Sequence, residues 1–323
     1  MTHESFIWVE AFRPHNVADC ILPKRIKTVF ENFASTGQVT NYIAVGSAGC
    51  GKTSATRALL EELNLEYIVI NASEEGNIDT IRTTVRNFAS RFSITGGYRV
   101  ILLDEGDYLT PTAQAALRGV IEEFADNCRF IITANYQNRI IPALQSRCPV
   151  IEFNFSEDEK REMVVAFSKR LFALFADMGI TYAKSDLVRF VNSNFPDFRG
   201  TLNLLQRSLT PDGKTIELKV MSSGVSNNIF KSLVNAMSNK DYNELRSIVA
   251  STPELDSVKF RQDLYNNITK VVDDDAVWKL VSILNDFDRH EPHVKNLDIH
   301  TMAMLLEIMT NCSPIKKITT EQV

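Results

Sequence analysis

No run of the 323-residue sequence approaches the roughly 18 consecutive apolar residues of a membrane-spanning helix. The first ten residues, Met1–Glu10, hold polar and acidic side chains where a secretory signal would have its apolar centre. Together these predict a protein that works in the cytoplasm without a membrane partner. Cysteine is scarce and scattered. The five, Cys20, Cys50, Cys128, Cys148 and Cys312, include no C-x-x-C pair, which argues against a zinc ribbon or a redox dithiol and suits a reducing interior. There is no excess of positive charge either. With 35 basic against 40 acidic residues the net charge is −5, so nucleic acid has no global basic field to follow and can be held only by a local patch. A composition 44% hydrophobic and 23% charged excludes a disordered or fibrous chain, and the length admits two or three domains.

What the sequence does contain is an alternation. Between Asn41 and Phe155, short runs rich in Val, Ile and Tyr occur at Tyr42–Val45, Tyr67–Asn71, Arg99–Leu103, Phe130–Ala134 and Val150–Phe153. Segments of helical spacing, Thr53–Leu63, Ile78–Phe92 and Thr112–Phe124, separate them, the last with Thr110 or Thr112 beside Pro111 as its cap. This order predicts a parallel sheet covered by helices. After Phe155 the strand pattern stops, and Ser156 with Glu159 forms an S-x-x-E capping box that opens a helix to about Met178. Helical segments follow at Ser185–Phe195 and Asp197–Ser208, then the polar Thr210–Lys214, and the Ser/Gly/Asn-rich Ser222–Asn228 reads as a linker. Amphipathic stretches at Ile229–Met237, Tyr242–Val249, Val258–Val272, Ala276–Phe287 and Ile299–Met309 predict an all-helical remainder. The expected domains are therefore 1–155, 156–224 and 225–323.

Gly46-Ser-Ala-Gly-Cys-Gly-Lys52-Thr53 fits the phosphate-loop pattern G-x-x-x-x-G-K-[ST], in which glycines permit a turn whose backbone N–H groups surround phosphates. A chance match in a flexible loop is the alternative. Against it, an apolar strand runs into this loop and a helix leaves it at Thr53, with its positive end toward the phosphates. ATP and Mg²⁺ are the implied ligands. Gly46, Gly49, Cys50, Gly51, Lys52, Thr53 and Ser54 form the loop, with Lys52 on the β- and γ-phosphates and Thr53 on the metal. Downstream, Arg99-Val-Ile-Leu-Leu-Asp104-Glu105 ends an apolar strand in two carboxylates, Asp104 suited to the Mg²⁺ shell and Glu105 to activating water. A solvated acidic turn is the plain alternative, which the phosphate loop upstream outweighs.

Phe130–Asn135 is another buried strand, and its end beside Asp104 puts the Asn135 amide within reach of a water or the γ-phosphate. Arg147, in Gln145-Ser-Arg-Cys, lies where a guanidinium could reach a neighbouring subunit's phosphate, although spacing alone favours a solvated surface arginine. Arg199, in Pro196-Asp-Phe-Arg, begins a helix from which it could close onto a nucleotide or simply pair with a carboxylate.

In this order, between about Trp8 and Leu205, these pieces resemble the clamp-loader branch of the AAA+ ATPases. The resemblance implies a RecA-like parallel five-stranded sheet followed by a helical lid and an all-α collar. It assigns sensor roles to Asn135 and Arg199 and an arginine finger to Arg147. Trp8-Val-Glu-Ala-Phe-Arg-Pro14 looks like the adenine-side motif of replication factor C small subunits, which implies nucleotide contacts from Val9, Glu10, Ala11, Phe12 and Ile21. Gln114 matches the family's central coupler position. Arg82, Arg86 and Thr110 match positions that follow a DNA backbone, though a solvated helix face suits them equally.

Cys20-Ile-Leu-Pro23 and Phe195-Pro-Asp-Phe-Arg199 look most like the large clamp-loader subunits of T-even-type tailed phages, which implies a host cytoplasm. The loop departs from the family's GPPGTGKT at Ser47, Ala48 and Cys50, and Cys50 predicts sensitivity to thiol reagents.

The implied activity is ATP hydrolysis stimulated by DNA and clamp, in the service of opening a ring-shaped sliding clamp and loading it on primer-template DNA. The implied partners are further copies of the chain and a smaller subunit, as a hetero-pentamer of four and one. Two other readings share the phosphate chemistry: a different AAA+ DNA motor, such as a helicase loader or branch-migration ATPase, and a non-hydrolysing scaffold. Intact Lys52, Asp104, Glu105 and Arg147 argue against the scaffold. A nucleoside or shikimate-type kinase would need an acceptor site and usually lacks the adjacent Asp-Glu.

Overall fold

Five strands, β1 (Tyr42–Val45), β2 (Tyr67–Asn71), β3 (Arg99–Asp104), β4 (Cys128–Ala134) and β5 (Val150–Glu152), form one parallel sheet in the order β2-β3-β4-β1-β5. The computed structural model describes residues 7–74, 78–91, 97–218, 223–251 and 257–318, of which 78–82, 223–228, 259 and 292 are described by backbone alone. The expected strands all form, each within two residues of its predicted ends. They read as continuous apolar runs because both sheet faces are covered. Alternate residues serve opposite faces: Tyr42, Ala44, Val100, Leu102 and Ile131 enter one core, while Ile43, Val45, Ile101, Leu103 and Ile132 enter the other.

Six helices flank or connect the strands: α1 (Trp8–Ala11), α2 (Lys24–Thr36), α3 (Lys52–Glu62), α4 (Ile78–Ala89), α5 (Pro111–Glu123) and α6 (Pro142–Gln145). On the first face lie Ile26 and Phe30 of α2 with Leu59 of α3, and on the second Val85 of α4 with Leu117 of α5. Each such fully buried side chain contributes about 2 kcal/mol. The register sets Val45 opposite Ala134 and Leu103 opposite Ile132, so β1, β4 and β3 end side by side. The residues that follow them therefore share one edge of the sheet.

A helical layer of α7 (Glu157–Asp177), α8 (Lys184–Asn194) and α9 (Phe198–Arg207) completes this unit, which clusters as residues 1–220. Ser156 Oγ accepts the Glu159 N–H at 3.3 Å and Glu159 Oε2 accepts the Ser156 N–H at 2.9 Å, the capping box that its sequence predicts. The layer has its own core of Phe167, Leu171, Phe175, Leu187 and Leu205, which also takes in Trp8 and Phe12.

Residues 221–323 form a second unit, with α10 (Ser223–Asn239), α11 (Tyr242–Ser251), α12 (Ser257–Asn266), α13 (Ile268–Val271), α14 (Asp274–His290) and α15 (Leu297–Asn311) around Phe230, Leu233, Leu245, Leu280 and Leu305. Two expectations are corrected here. From Ser223 the supposed linker is the start of α10, because helix is extended backward from the buried Phe230–Met237 stripe despite the weak propensity of Ser, Gly and Asn. The stretch Val258–Val272 is two helices, broken at Asn267, whose side-chain amide turns back to donate to the Asp263 carbonyl at 3.0 Å. Among the described residues no helix is long and apolar enough to cross a membrane.

Candidate nucleotide site

The loop between β1 and α3 holds its shape through Gly49 and Gly51, at φ 72° and 96°, a region that side chains with a Cβ rarely enter. Lys52, the first residue of α3, turns back beneath this loop. Its Nζ donates to the carbonyls of Gly46 and Ser47, each at 2.8 Å, and to Asn135 Oδ1 at 2.9 Å. Only 7% of the residue is exposed, and that burial lowers the ammonium pKa, against the opposing pull of Cys50, Asp104 and Asp107. An ammonium held by neutral carbonyls in a partly dry site is a ready partner for an anion.

The acidic side is organised by Thr133, which is fully buried on β4. Its hydroxyl donates to Asp104 Oδ1 and accepts the Glu105 N–H at 3.1 Å, while Thr53 Oγ1 donates to the same Asp104 oxygen at 2.8 Å. Glu105 has φ 57° and ψ 40°, a left-handed conformation that costs a non-glycine residue on the order of 1–2 kcal/mol. Asp107, 6% exposed, accepts the Asn135 N–H on Oδ1 at 3.2 Å, and its buried Oδ2 has no partner.

A cavity of about 430 Å³ joins these groups. Gly49, Gly51, Lys52, Thr53 and Ser54 line its floor, with Asp104, Glu105 and Asn135 at one end. Val9, Glu10, Phe12 and Ile21 form a wall, and Arg199 enters from α9. Three expected contact residues, Ala11, Gly46 and Cys50, do not line it. Ala11 packs into the helical-layer core, and the Gly46 carbonyl is taken by Lys52. Cys50 is fully buried and its thiol is pushed up by that burial, more than Lys52 pulls it down, which opposes the expected sensitivity to thiol reagents.

Arg170 and Asn203, which the sequence reading passed over, also line the cavity. Thr133 reads as an ordinary β-branched strand residue and Asp107 as one more carboxylate in the polar turn after β3, so local spacing marks neither. Nothing in the spacing pointed to Arg170.

The helical layer touches the loop directly, since the Phe198 N–H donates to the Gly49 carbonyl at 3.0 Å. A Cβ at Gly49 would stand 1.7 Å from Asp197 Oδ1, so the approach needs glycine.

Four expected residues lie elsewhere. Gln114, 0% exposed, donates to the carbonyls of Leu109 at 3.0 Å and Arg139 at 2.8 Å and accepts the Ile141 N–H at 2.8 Å. It thereby ties the segment after Glu105 to the segment leading to Arg147. Arg147 does not line the cavity. Its Nε donates to Glu122 Oε1 at 2.6 Å and its Nη1 to the Ala143 carbonyl at 2.9 Å. Arg86 pairs with Glu123 at 2.7 Å. Thr110 Oγ1 caps α5 by accepting the Ala113 N–H at 3.2 Å, while the Arg82 side chain lies outside the described residues.

The groups present fit a magnesium nucleotide. Thr53 and Asp104 offer adjacent hard oxygen ligands, too few for a closed protein cage, as suits Mg²⁺ that keeps water and phosphate in its shell. The apolar wall around Val9 and Phe12 suits a base.

Residues 42–155 match the family described as ATPase family associated with various cellular activities. The chain is 30% identical over 318 residues to the sliding-clamp-loader large subunit of Enterobacteria phage T4, covering 95% of this chain and 97% of that one. It is 31% identical over 314 residues to the corresponding subunit of Escherichia phage RB69, covering 93% and 94%. With the replication factor C small subunit of Methanoculleus marisnigri it shares 34% identity over 206 residues, 62% of each chain. Among solved structures, the RuvB Holliday-junction branch-migration motor of Thermotoga maritima superposes with a TM-score of 0.51 at 16% identity, over 70% of this chain and 79% of that one, a likeness of fold alone. Sheet order, phosphate loop and near full-length similarity agree: the chain belongs to the sliding-clamp-loader family of AAA ATPases.

Proposed function

We propose that the chain is an ATP-hydrolysing clamp-loader subunit that opens a ring-shaped sliding clamp and loads it onto primer-template DNA during replication. The observation that carries this reading is a division of the site. Lys52, Thr53, Asp104, Glu105, Asn135 and Arg199 meet at one cavity, whereas Arg147 lies outside it, partly exposed in the turn after α6. A finger that cannot serve its own cavity suits an assembly in which it serves the neighbour's. The proposed partners are accordingly further copies of the chain with a smaller subunit, four and one by resemblance, and the clamp and DNA as cargo.

The residues take the following roles. Lys52 exchanges its carbonyl partners for phosphate oxygens and so reads nucleotide occupancy. Bound Mg²⁺ supplies neutralisation of phosphate charge, with Thr53 and Asp104 as its protein ligands. Glu105 orients and deprotonates the attacking water, Asn135 positions that water, and Arg199 brings the lid onto the nucleotide. Arg147 gives up Glu122 to stabilise charge at the neighbour's γ-phosphate, an exchange for which an arginine finger is suited. Gln114 passes rearrangement between the Glu105 segment and the Arg147 segment, because its three bonds hold both. Arg82, Arg86 and Thr110 are proposed to follow the DNA backbone, Arg86 by exchanging Glu123 for phosphate. Hydrolysis then times a conformational cycle: ATP favours the clamp-gripping form, and its loss releases the loader.

Gel filtration with the cognate clamp and smaller subunit tests this reading. A stable complex is expected with ATP and Mg²⁺ and not with ADP. A complex with no nucleotide dependence, or none at all, would favour a different AAA+ DNA motor.

A further inference from the structure

The segment that walls the cavity away from the phosphate loop packs on two cores, Val9, Phe12 and Ile21 on that of the helical layer and Cys20 and Leu22 on that of the sheet. Trp8 and Phe12 belong to the helical layer: the Trp8 ring lies 5.3 Å from Phe175, and the Trp8 N–H donates to Gln206 Oε1 of α9 at 3.1 Å. Val17 and Cys20 belong instead to the sheet core, and the Val17 N–H donates to Glu62 of α3 at 2.7 Å. Between them a closed turn, in which Asn16 and Asp19 exchange two bonds of 2.8 Å, fixes the direction of the Asp19 carbonyl.

Arg170 lies at the seam. From α7 its Nη1 donates to the Asp19 carbonyl on the sheet side, and its Nη2 reaches the Phe12 carbonyl on the layer side at 3.5 Å. The same side chain lines the cavity one turn beyond Phe167, on one helix face. The guanidinium fork suits this task because its donors lie in one rigid plane and so fix the spacing and direction of the two carbonyls they hold, whereas an ammonium on a flexible stem holds carbonyls without fixing that geometry.

We propose that Arg170 is the positioning residue of the base pocket, a clasp that closes the two halves of the base wall across the boundary between sheet and helical layer. Its consequence is selective. The clasp shapes only the wall for the base and leaves the phosphate loop, built from Gly46–Thr53, untouched. This proposal rests on the nucleotide reading of the cavity.

The test compares ATP with tripolyphosphate, which has the charge and no base, as ligands of wild type and Arg170→Met in equilibrium binding, with KM and kcat measured in the assembled ATPase. Loss of charged hydrogen bonds that shape the pocket is expected to weaken ATP about tenfold while tripolyphosphate stays within about twofold. KM should rise more than kcat falls. Arg170→Lys should give an intermediate loss, and it carries the comparison if Arg170→Met shows no cooperative melt. An unchanged ATP affinity, or equal losses for both ligands, would overturn the proposal. Wild type binding neither ligand would overturn the nucleotide reading, and this proposal with it.

Discussion

The Lys52 ammonium and the Asn135 side-chain carbonyl meet at 2.9 Å, joining the phosphate loop after β1 to the end of β4. Because Asp107 in turn holds the Asn135 N–H, the position of Lys52 is fixed from outside its own helix. Phosphate has to replace three carbonyl contacts with charge-assisted ones, which are about twice as strong. Lys52→Ala is therefore expected to weaken ATP binding by about a hundredfold or more and to abolish turnover, as read by equilibrium binding with fluorescent ATP. Binding within a few-fold of wild type would contradict this role.

Glu105 lines the cavity without holding the phosphate loop, so its replacement should separate binding from chemistry. Glu105→Gln is expected to bind ATP within a few-fold of wild type while single-turnover hydrolysis falls by about a thousandfold, the scale of a lost general base. Hydrolysis retained to within tenfold would move the base to another residue.

Arg147 is expected to act in the neighbour's site. Arg147→Ala should leave nucleotide affinity nearly intact and reduce hydrolysis by the assembled complex about a thousandfold. Doping Arg147→Ala chains into wild type should poison sites in proportion to the mixing. Unchanged turnover in the pure variant would remove the finger assignment.

Gln114 satisfies three buried backbone groups with one side chain. Gln114→Leu leaves those groups without partners at similar volume, so the first unit should lose about 2–4 kcal/mol, visible as a lower urea midpoint. Because the bonds also link the Glu105 and Arg147 segments, DNA stimulation of hydrolysis should fall more than basal hydrolysis. A midpoint within experimental scatter of wild type would show that these bonds contribute little.

Local signals were legible in the sequence wherever one segment decides its own structure. The apolar runs, the S-x-x-E box at Ser156 and the glycines of the phosphate loop each specify backbone geometry within a few residues, and they fall where expected. The helix α2 is not among the expected elements, although Ile26, Val29, Phe30 and Phe33 stand at helical spacing and Gly37 closes it at φ 67°. What spacing does not encode is which distant groups meet. Arg170 lies 151 residues from Asp19, and nothing local distinguishes it from the solvated Arg161 of the same helix. Thr133 looks like an ordinary β-branched strand residue until β4 is set beside β3. The start of α10 was misread for the opposite reason: local composition there is poor for helix, and the core formed farther along decides it.

The most direct test of the clamp-loader reading is steady-state ATP hydrolysis by the chain with its smaller subunit, measured with and without primer-template DNA and the cognate clamp. The account predicts slow hydrolysis alone and strong synergistic stimulation when clamp and DNA are both present, lost in Arg147→Ala. Robust hydrolysis indifferent to the clamp would contradict it and point to another AAA+ DNA motor, and no hydrolysis under any condition would point to a scaffold.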